Sequence, residues 1–357
     1  MPDGRTMRVL VLTNMYPTPD MPRLGSFVRD QVEAIRHEGV NVDVFFVNGR
    51  KSKLNYFWGI PRLWAWLLTH RYDVIHAHYH YSGIIARMQF LYPVILTHHG
   101  LEVFMTRERF VCRIITPLVD KVIVVSQEQK KTLRSRRSVV IPCGIDLDLF
   151  NPMPRDEARR KLGLSLEKKL VVWAGDHSRP EKRFEIAKAA VAQLRERDPS
   201  IELLMVSGMP HEVVPLYMNA GDVLVLVSDG EGSPMVIKEA MACNLPIVSV
   251  PVGDVPEIIS GIDGCYSCSW DPADVAEKLT SSLSNPVRTK GRDKIKHMEQ
   301  GIIARQIIAL YEQVLREKKR RLKYPCGHEQ GRQIDLVSTS SEGGTPTKGS
   351  QNGMPEA

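Results

Sequence analysis

Short apolar runs alternate along the chain with longer amphipathic stretches. Arg8–Thr13, Val42–Val47, Val74–Ala77, Val94–Thr97, Val122–Ser126 and Val139–Ile141 have the length and apolar content of buried strands. Ser26–His37 and Tyr56–Leu68 have helical length, and Ser26 is placed to cap the first of them. The alternation pauses over Asn151–Ser165, a stretch of prolines and charges that reads as a linker. It resumes with strands at Leu170–Ala174, Leu203–Ser207, Val223–Val227 and Ile247–Val250. Helices are expected at Phe184–Arg197, Val213–Asn219, Pro256–Ser260, Asp271–Leu283 and Ile302–Lys318. In the last of these, Ile303, Ile307, Leu310 and Val314 share one face. The pattern predicts two doubly wound α/β domains with parallel sheets, residues 1–150 and 166–300, joined by 151–165. A helix over 301–320 follows, and the Gly/Ser/Thr-rich tail 321–357 is expected to be disordered.

The unit Val223–Pro251 has the order strand, loop, helix, turn, strand. Gly230 and Gly232 let the loop backbone approach a ligand closely. Ser233 suits an N-cap and Pro234 the first helical position; Asn244 suits a left-handed cap near the helix end at Cys243. Glu231 and Glu239 stand eight residues apart, roughly 12 Å along a helix. A carboxylate pair that cleaves one glycosidic bond needs roughly 5–10 Å. This spacing instead suits the two ends of an elongated ligand, with a helix N-terminus between them for an anion. Hydroxyls at both ends and phosphate between describe a nucleotide-diphosphate sugar.

Composition narrows the class. Apolar residues are 43% and charged residues 25%, as in soluble globular proteins. No apolar run reaches bilayer-spanning length, and the N-terminus lacks the pattern of a secretory signal, so a cytoplasmic protein is expected. The net charge of +7 gathers between Met105 and Arg137. There Arg107, Arg109, Arg113, Lys121, Lys130, Lys131, Arg134, Arg136 and Arg137 face Glu108, Asp120 and Glu128, a net of +6. No nucleic-acid module accompanies them, so nucleic acid is not an expected partner. An anionic acceptor, or the inner face of the cell membrane carrying a lipid-linked one, fits this charge. Cys265 and Cys268 are the only close cysteine pair, without a second pair to complete a zinc site. His76, His78, His80, His98 and His99 follow two strand ends, with Glu102 the only nearby acid and no metal-ligand spacing. No metal and no cofactor are expected.

Several strings together resemble the retaining, GT-B-type glycosyltransferases of family four. They are Ser228, Glu231-Gly232-Ser233-Pro234, Glu239-Ala240-Met241-Ala242, Pro246-Ile247-Val248 and Val252-Gly253-Asp254-Val255-Pro256-Glu257. His76-Ala77-His78-Tyr79, Thr97-His98-His99-Gly100 and Pro142-Cys143-Gly144-Ile145-Asp146 with Phe150 extend the likeness over Arg8 to Val314. The spacing Pro17-x4-Pro22-Arg23-x-Gly25-x-Phe27-Val28-x2-Gln31 and the Arg179–Arg183 loop are similar to teichuronic-acid-type enzymes of surface polysaccharide synthesis.

The resemblance implies a GT-B fold, two Rossmann-like domains facing a cleft, with the last helix returning to the first domain. It implies a transferase that moves a sugar from a nucleotide-diphosphate sugar to a glycan or lipid-linked acceptor. Glu239 would hold ribose hydroxyls, and Glu231 the sugar and the positive charge at its anomeric carbon. Backbone N–H groups at Gly232, Ser233, Pro234, Met235 and Val236 mark the diphosphate region (proline itself contributing none), with Arg179, Lys182 and, near the pyrophosphate, Gly25. His99 would line the reaction centre, so the implied catalytic set is His99, Glu231, Lys182 and Arg179. Asp176 stands where relatives carry an arginine, and Arg183 where they carry a glycine. That departure keeps a second reading open, a sugar-nucleotide-binding protein of weak catalysis. A metal hydrolase built on the histidines and, more distantly, a sugar-nucleotide epimerase are the others.

Overall fold

The computed structural model describes residues 5–21, 24–284 and 287–323. The first sheet has six parallel strands: β1 (Arg8–Thr13), β2 (Asn41–Phe46), β3 (Val74–His78), β4 (Val94–His98), β5 (Lys121–Val124) and β6 (Ser138–Val140). Their order is β2-β1-β3-β4-β5-β6. Helices α1 (Ser26–His37), α2 (Leu54–Thr69), α3 (His80–Arg87), α4 (Thr106–Ile115) and α5 (Gln127–Leu133) connect them. The second sheet holds β7 (Lys169–Ala174), β8 (Ile201–Val206), β9 (Val223–Leu226), β10 (Ile247–Ser249) and β11 (Tyr266–Ser267), all parallel, in the order β11-β10-β9-β7-β8. Its helices are α6 (Arg155–Leu162), α7 (Phe184–Arg197), α8 (Val214–Ala220), α9 (Met235–Ala242), α10 (Val255–Ile259), α11 (Pro272–Ser284) and α12 (Gly291–Ile295). Helix α13 (Gln300–Lys323) closes the described chain.

Both sheets are covered on both faces, which is why their strands are continuously apolar rather than alternating. One face of the first sheet packs under α2, α3, α4 and α5 through Leu63, Ile85, Cys112 and Leu133. Its other face packs under α1 and α13. Ile303, Ile307, Leu310, Tyr311 and Val314 of α13 sit in that first-half core, and the Tyr311 hydroxyl meets His76 Nδ1 at 2.6 Å. The chain therefore passes between the halves twice. The two passes touch: Ile145 N–H donates to Met298 O (2.9 Å), and Gln300 N–H donates to Ile145 O (3.0 Å).

Observed strands start and stop within about two residues of the expected runs, and α1 and α7 have the expected ends. The differences are local. Ser26 is the first helical residue of α1, not its cap; the cap position is Gly25, in the left-handed region at φ 67°. The stretch 151–165 contains α6, packed on α8, with Arg159 fully buried. The Arg159 guanidinium donates to Asp222 (2.7 Å), Ala220 O (2.9 Å) and Lys168 O (2.8 Å). The tail beyond Lys323 lies outside the described residues. Among them, no helix is long and apolar enough to cross a membrane.

Candidate active site

Parallel strands deliver their loops to one edge, so the C-terminal ends of the strands in each sheet gather that half's loops. On the first half these are the turn before α1, Tyr79 after β3, and His99–Gly100 after β4. On the second half they are Gly175–Arg183 after β7 and Val227–Pro234 after β9. The two sets touch. A Cβ on Gly232 would fall 2.2 Å from His99 O and 2.8 Å from Gly100 Cα, so only glycine allows this closeness.

His99 Nε2 lies 2.7 Å from His78 Nδ1, and the rings stack at 5.0 Å with 9° between their planes. Its backbone N–H donates to Glu102 Oε1 (2.7 Å), and Gly100 N–H donates to Glu102 Oε2 (3.0 Å). Burial, with His76 and His98 nearby, pushes the His99 pKa down to about 3, so a neutral imidazole faces the cleft. Of the other histidines, His76 is held by Thr97 Oγ1 (2.7 Å) and Tyr311. His98 differs from His76. Both its ring nitrogens lack a hydrogen-bond partner among the described residues, and Glu102 is 3.9 Å away. Among the described residues no group of three His, Cys, Asp or Glu is placed to hold a metal ion.

Lys182 Nζ donates to Glu231 Oε1 at 2.6 Å, with both side chains mostly buried. The loops carrying them are also joined by Asp229 N–H to Glu181 O (2.9 Å). Arg183 occupies the left-handed region at φ 48°, a conformation that suits glycine, and its Nε donates to Asp229 Oδ1 at 2.6 Å. Arg179 folds onto Glu181 (2.6 Å) and stays about half exposed, close enough for its charge to act on the Tyr79 hydroxyl. Asp176 is exposed and accepts from Ser178 Oγ (2.6 Å) and Ser178 N–H (3.0 Å), so its carboxylate closes a turn.

Glu239 is half-buried on α9, and its carboxylate makes no hydrogen bond or ion pair to a described residue. Burial, with Asp30 of α1 across the cleft, pushes its pKa up to about 7. Pro234, not Ser233, holds the cap position of α9, and Pro234 therefore lies just outside the helix. Met235 and Val236 form its half-buried first turn. Neither α1 nor α9 has a side-chain cap, which leaves the N–H groups of Ser26 and Phe27 and of Met235 and Val236 for an anion, while those of Val28 and Ile237 donate to the cap carbonyls. Gly25 lies against Met15, where a Cβ would fall 2.4 Å from its carbonyl. Between α1 and α9, Asp30, Glu33, Met235 and Gln300 help line a cavity of about 470 Å³.

Sequence reasoning missed four residues here. Ser233 Oγ donates to Asp254 Oδ2, and fully buried Lys238 donates to Ser233 Oγ and, across the cleft, to Cys143 O (2.8 Å). Gln129 donates to Gly100 O (3.2 Å). Tyr79, at φ 69° and ψ 154°, holds a strained backbone turn beside His99. Asp254 lay within a quoted motif string; Lys238 did not, and a helical lysine ordinarily means solvent.

Two parallel-sheet domains with a shared cleft, anion-ready helix ends and paired donor-side loops define a GT-B-type transferase. Residues 4–149 match the family Glycosyltransferase Family 4, and residues 207–285 match Glycosyl transferases group 1. Both family models describe glycosyltransferases, and the chain is a glycosyltransferase with a nucleotide-diphosphate sugar as co-substrate. It is 26% identical over 321 residues to D-inositol 3-phosphate glycosyltransferase of Mycolicibacterium smegmatis, covering 74% of this chain and 73% of that protein. It is 24% identical over 327 residues to TuaC of Bacillus subtilis, a glycosyltransferase assigned to teichuronic acid biosynthesis, covering 71% and 83%. In fold it is similar to sucrose-phosphate synthase of Thermosynechococcus elongatus, with a TM-score of 0.76 at 20% identity over 88% of this chain and 100% of that one. HepE of Anabaena, in complex with UDP-glucose, gives 0.63 at 18% identity over 86% and 100%.

Proposed function

We propose that this protein transfers a sugar, with retention of anomeric configuration, from a nucleotide-diphosphate sugar to a glycan or lipid-linked acceptor in cell-surface polysaccharide synthesis. The observation that carries the reading is the free Glu239 carboxylate, one helix away from the Lys182–Glu231 pair, with two uncapped helix ends facing the same cleft. Glu239 accepts hydrogen bonds from the ribose hydroxyls. The first N–H groups of α9, with Lys182 and Arg179, hold the diphosphate. The bond from the anomeric carbon to phosphate oxygen breaks, and the acceptor oxygen bonds to that carbon. The acceptor proton passes to the departing phosphate. Charge then grows on the phosphate, where fixed cations stabilise it selectively. Glu231 offsets the positive charge at the anomeric carbon, and neutral His99 donates to a sugar hydroxyl.

The relatives support a polysaccharide or lipid setting: TuaC is named for teichuronic acid, and a further relative, at 25% identity, is a phosphatidyl-myo-inositol mannosyltransferase of Propionibacterium freudenreichii subsp. shermanii. The basic segment 105–137 supports an acceptor at an anionic surface, with the protein peripheral on the cytoplasmic side. The weak-catalysis reading stays the alternative: Asp176, bonded to Ser178, brings no cation to the position where relatives carry an arginine. The test is a metal-free thermal-shift panel of UDP-, GDP- and ADP-sugars on wild type and Glu239→Ala. At 100 times its dissociation constant, the true donor adds about 2.7 kcal/mol of stability. The shift is expected with one base and is lost in the variant. No shift with any sugar or plain nucleoside diphosphate overturns the reading.

A further inference from the structure

The outward faces of α2, α3 and α4 are unusual for a surface in water. Phe57, Trp58 and Leu68 on α2 are 72%, 65% and 79% exposed. Phe90, just after α3, is 74% exposed, and Phe110 and Ile114 on α4 are 66% and 51% exposed. The three helices pack side by side on one face of the first sheet, so these side chains share one surface. Single exposed apolar residues are ordinary, whereas a continuous group marks a contact surface. The charges on these helices are nearly all of one sign: Arg62, Arg87, Arg107, Arg109 and Arg113, against Glu108 alone.

We propose that this face docks in the plane of an anionic lipid bilayer. Tryptophan, phenylalanine and leucine with an arginine fringe suit the boundary between headgroups and acyl chains. Arg87 already lies over the Phe90 ring, leaving its charge at the edge of the apolar patch. Only the outer side of α2 is apolar and exposed, while Leu63 and Leu67 are buried in the core, so the helix lies on a membrane and does not cross it. Pairing with a second copy would set arginines against arginines. The placement also serves the cleft. The N-terminal ends of α2 and α4 stand at the same sheet edge as His99, and Asn14 Nδ2, in the loop after β1, donates to Tyr56 Oη of α2 (2.9 Å). A lipid-linked acceptor then meets the site without leaving the bilayer; this last consequence rests on the function proposed above, while the docking itself does not.

The experiment is sedimentation of the full chain with phosphatidylcholine vesicles and with equal mixtures of phosphatidylcholine and phosphatidylglycerol, at low and high salt. Binding is expected to the mixed vesicles and to weaken with salt. Arg107→Gln with Arg113→Gln should cut partitioning about fivefold per arginine, and Phe57→Ser with Trp58→Ser should remove most of it. Thermal unfolding and the donor-induced shift should stay at wild-type values in both variants. No sedimentation with either vesicle, or binding unchanged by both variants, overturns docking. So does a dimer in the ultracentrifuge that the Phe57 and Trp58 changes dissolve while vesicles capture nothing. Sedimentation without any donor shift keeps docking and defeats the transferase reading; a donor shift without sedimentation does the reverse.

Discussion

The Glu239 carboxylate sits half-buried without a partner among the described residues, and burial pushes its pKa up to about 7. Ribose hydroxyls donate to the ionised form, so donor affinity should fall as pH drops below about 7, read by titration calorimetry across pH. Stability runs the other way. The folded pKa lies above the unfolded one, so this group's contribution is fully present below the usual carboxylate range and is lost as pH rises through about 7. Glu239→Gln should therefore match wild type near the low end of that range. At pH 8 it should exceed wild type by on the order of 1 kcal/mol in denaturant unfolding, while losing the donor shift. Lys182→Ala strips the diphosphate of its buried cation and should lower kcat about 10²- to 10³-fold, read by steady-state turnover. These residue types were visible as motifs. The Lys182–Glu231 pair was not, because it joins loops far apart in sequence. Lys238 was hidden for another reason: nothing in a local pattern says that a helical lysine will be fully buried and reach a carbonyl of the other half.

Among the elements, the donor-side loop depends on glycine where the halves meet. Gly232→Ala would drive a methyl into the His99 carbonyl and force the loops apart. Turnover should fall about a hundredfold, with a larger radius of gyration in small-angle scattering. If turnover and scattering match wild type, the two loops do not need this contact. The short, continuously apolar strands and the well-formed α1 and α7 were legible, because pattern and length agree there. Helices α3, α4, α5 and α12 and strand β11 went unassigned, since they are short and their composition is mixed. Helix α6 was read as linker because prolines and charges normally mark exposed chain. Here the charge of Arg159 is satisfied inside by Asp222 and four carbonyls. Arg183 breaks a local rule too: φ 48° favours glycine and costs another residue roughly 1–2 kcal/mol, while its half-exposed ion pair to Asp229 returns only a part of that.

For the molecule as a whole, α13 ties the end of the chain to the first sheet. Tyr311→Phe leaves buried His76 Nδ1 without its partner and should cost about 1–3 kcal/mol, read as a lower midpoint in denaturant; an unchanged midpoint would mean that the bond contributes nothing net. The two-domain α/β layout was legible from alternation alone, whereas which faces meet is a long-range matter that no local pattern carries. The two chain passages between the halves lie against each other at Ile145 and Met298–Gln300. Two strands of backbone fastened along one line act as a hinge. A swing of the halves about that line would part the contact at Gly232, Gly100 and His99 and the Lys238 bond to the Cys143 carbonyl. Admitting the donor and releasing the spent nucleotide then become the same motion run in opposite directions.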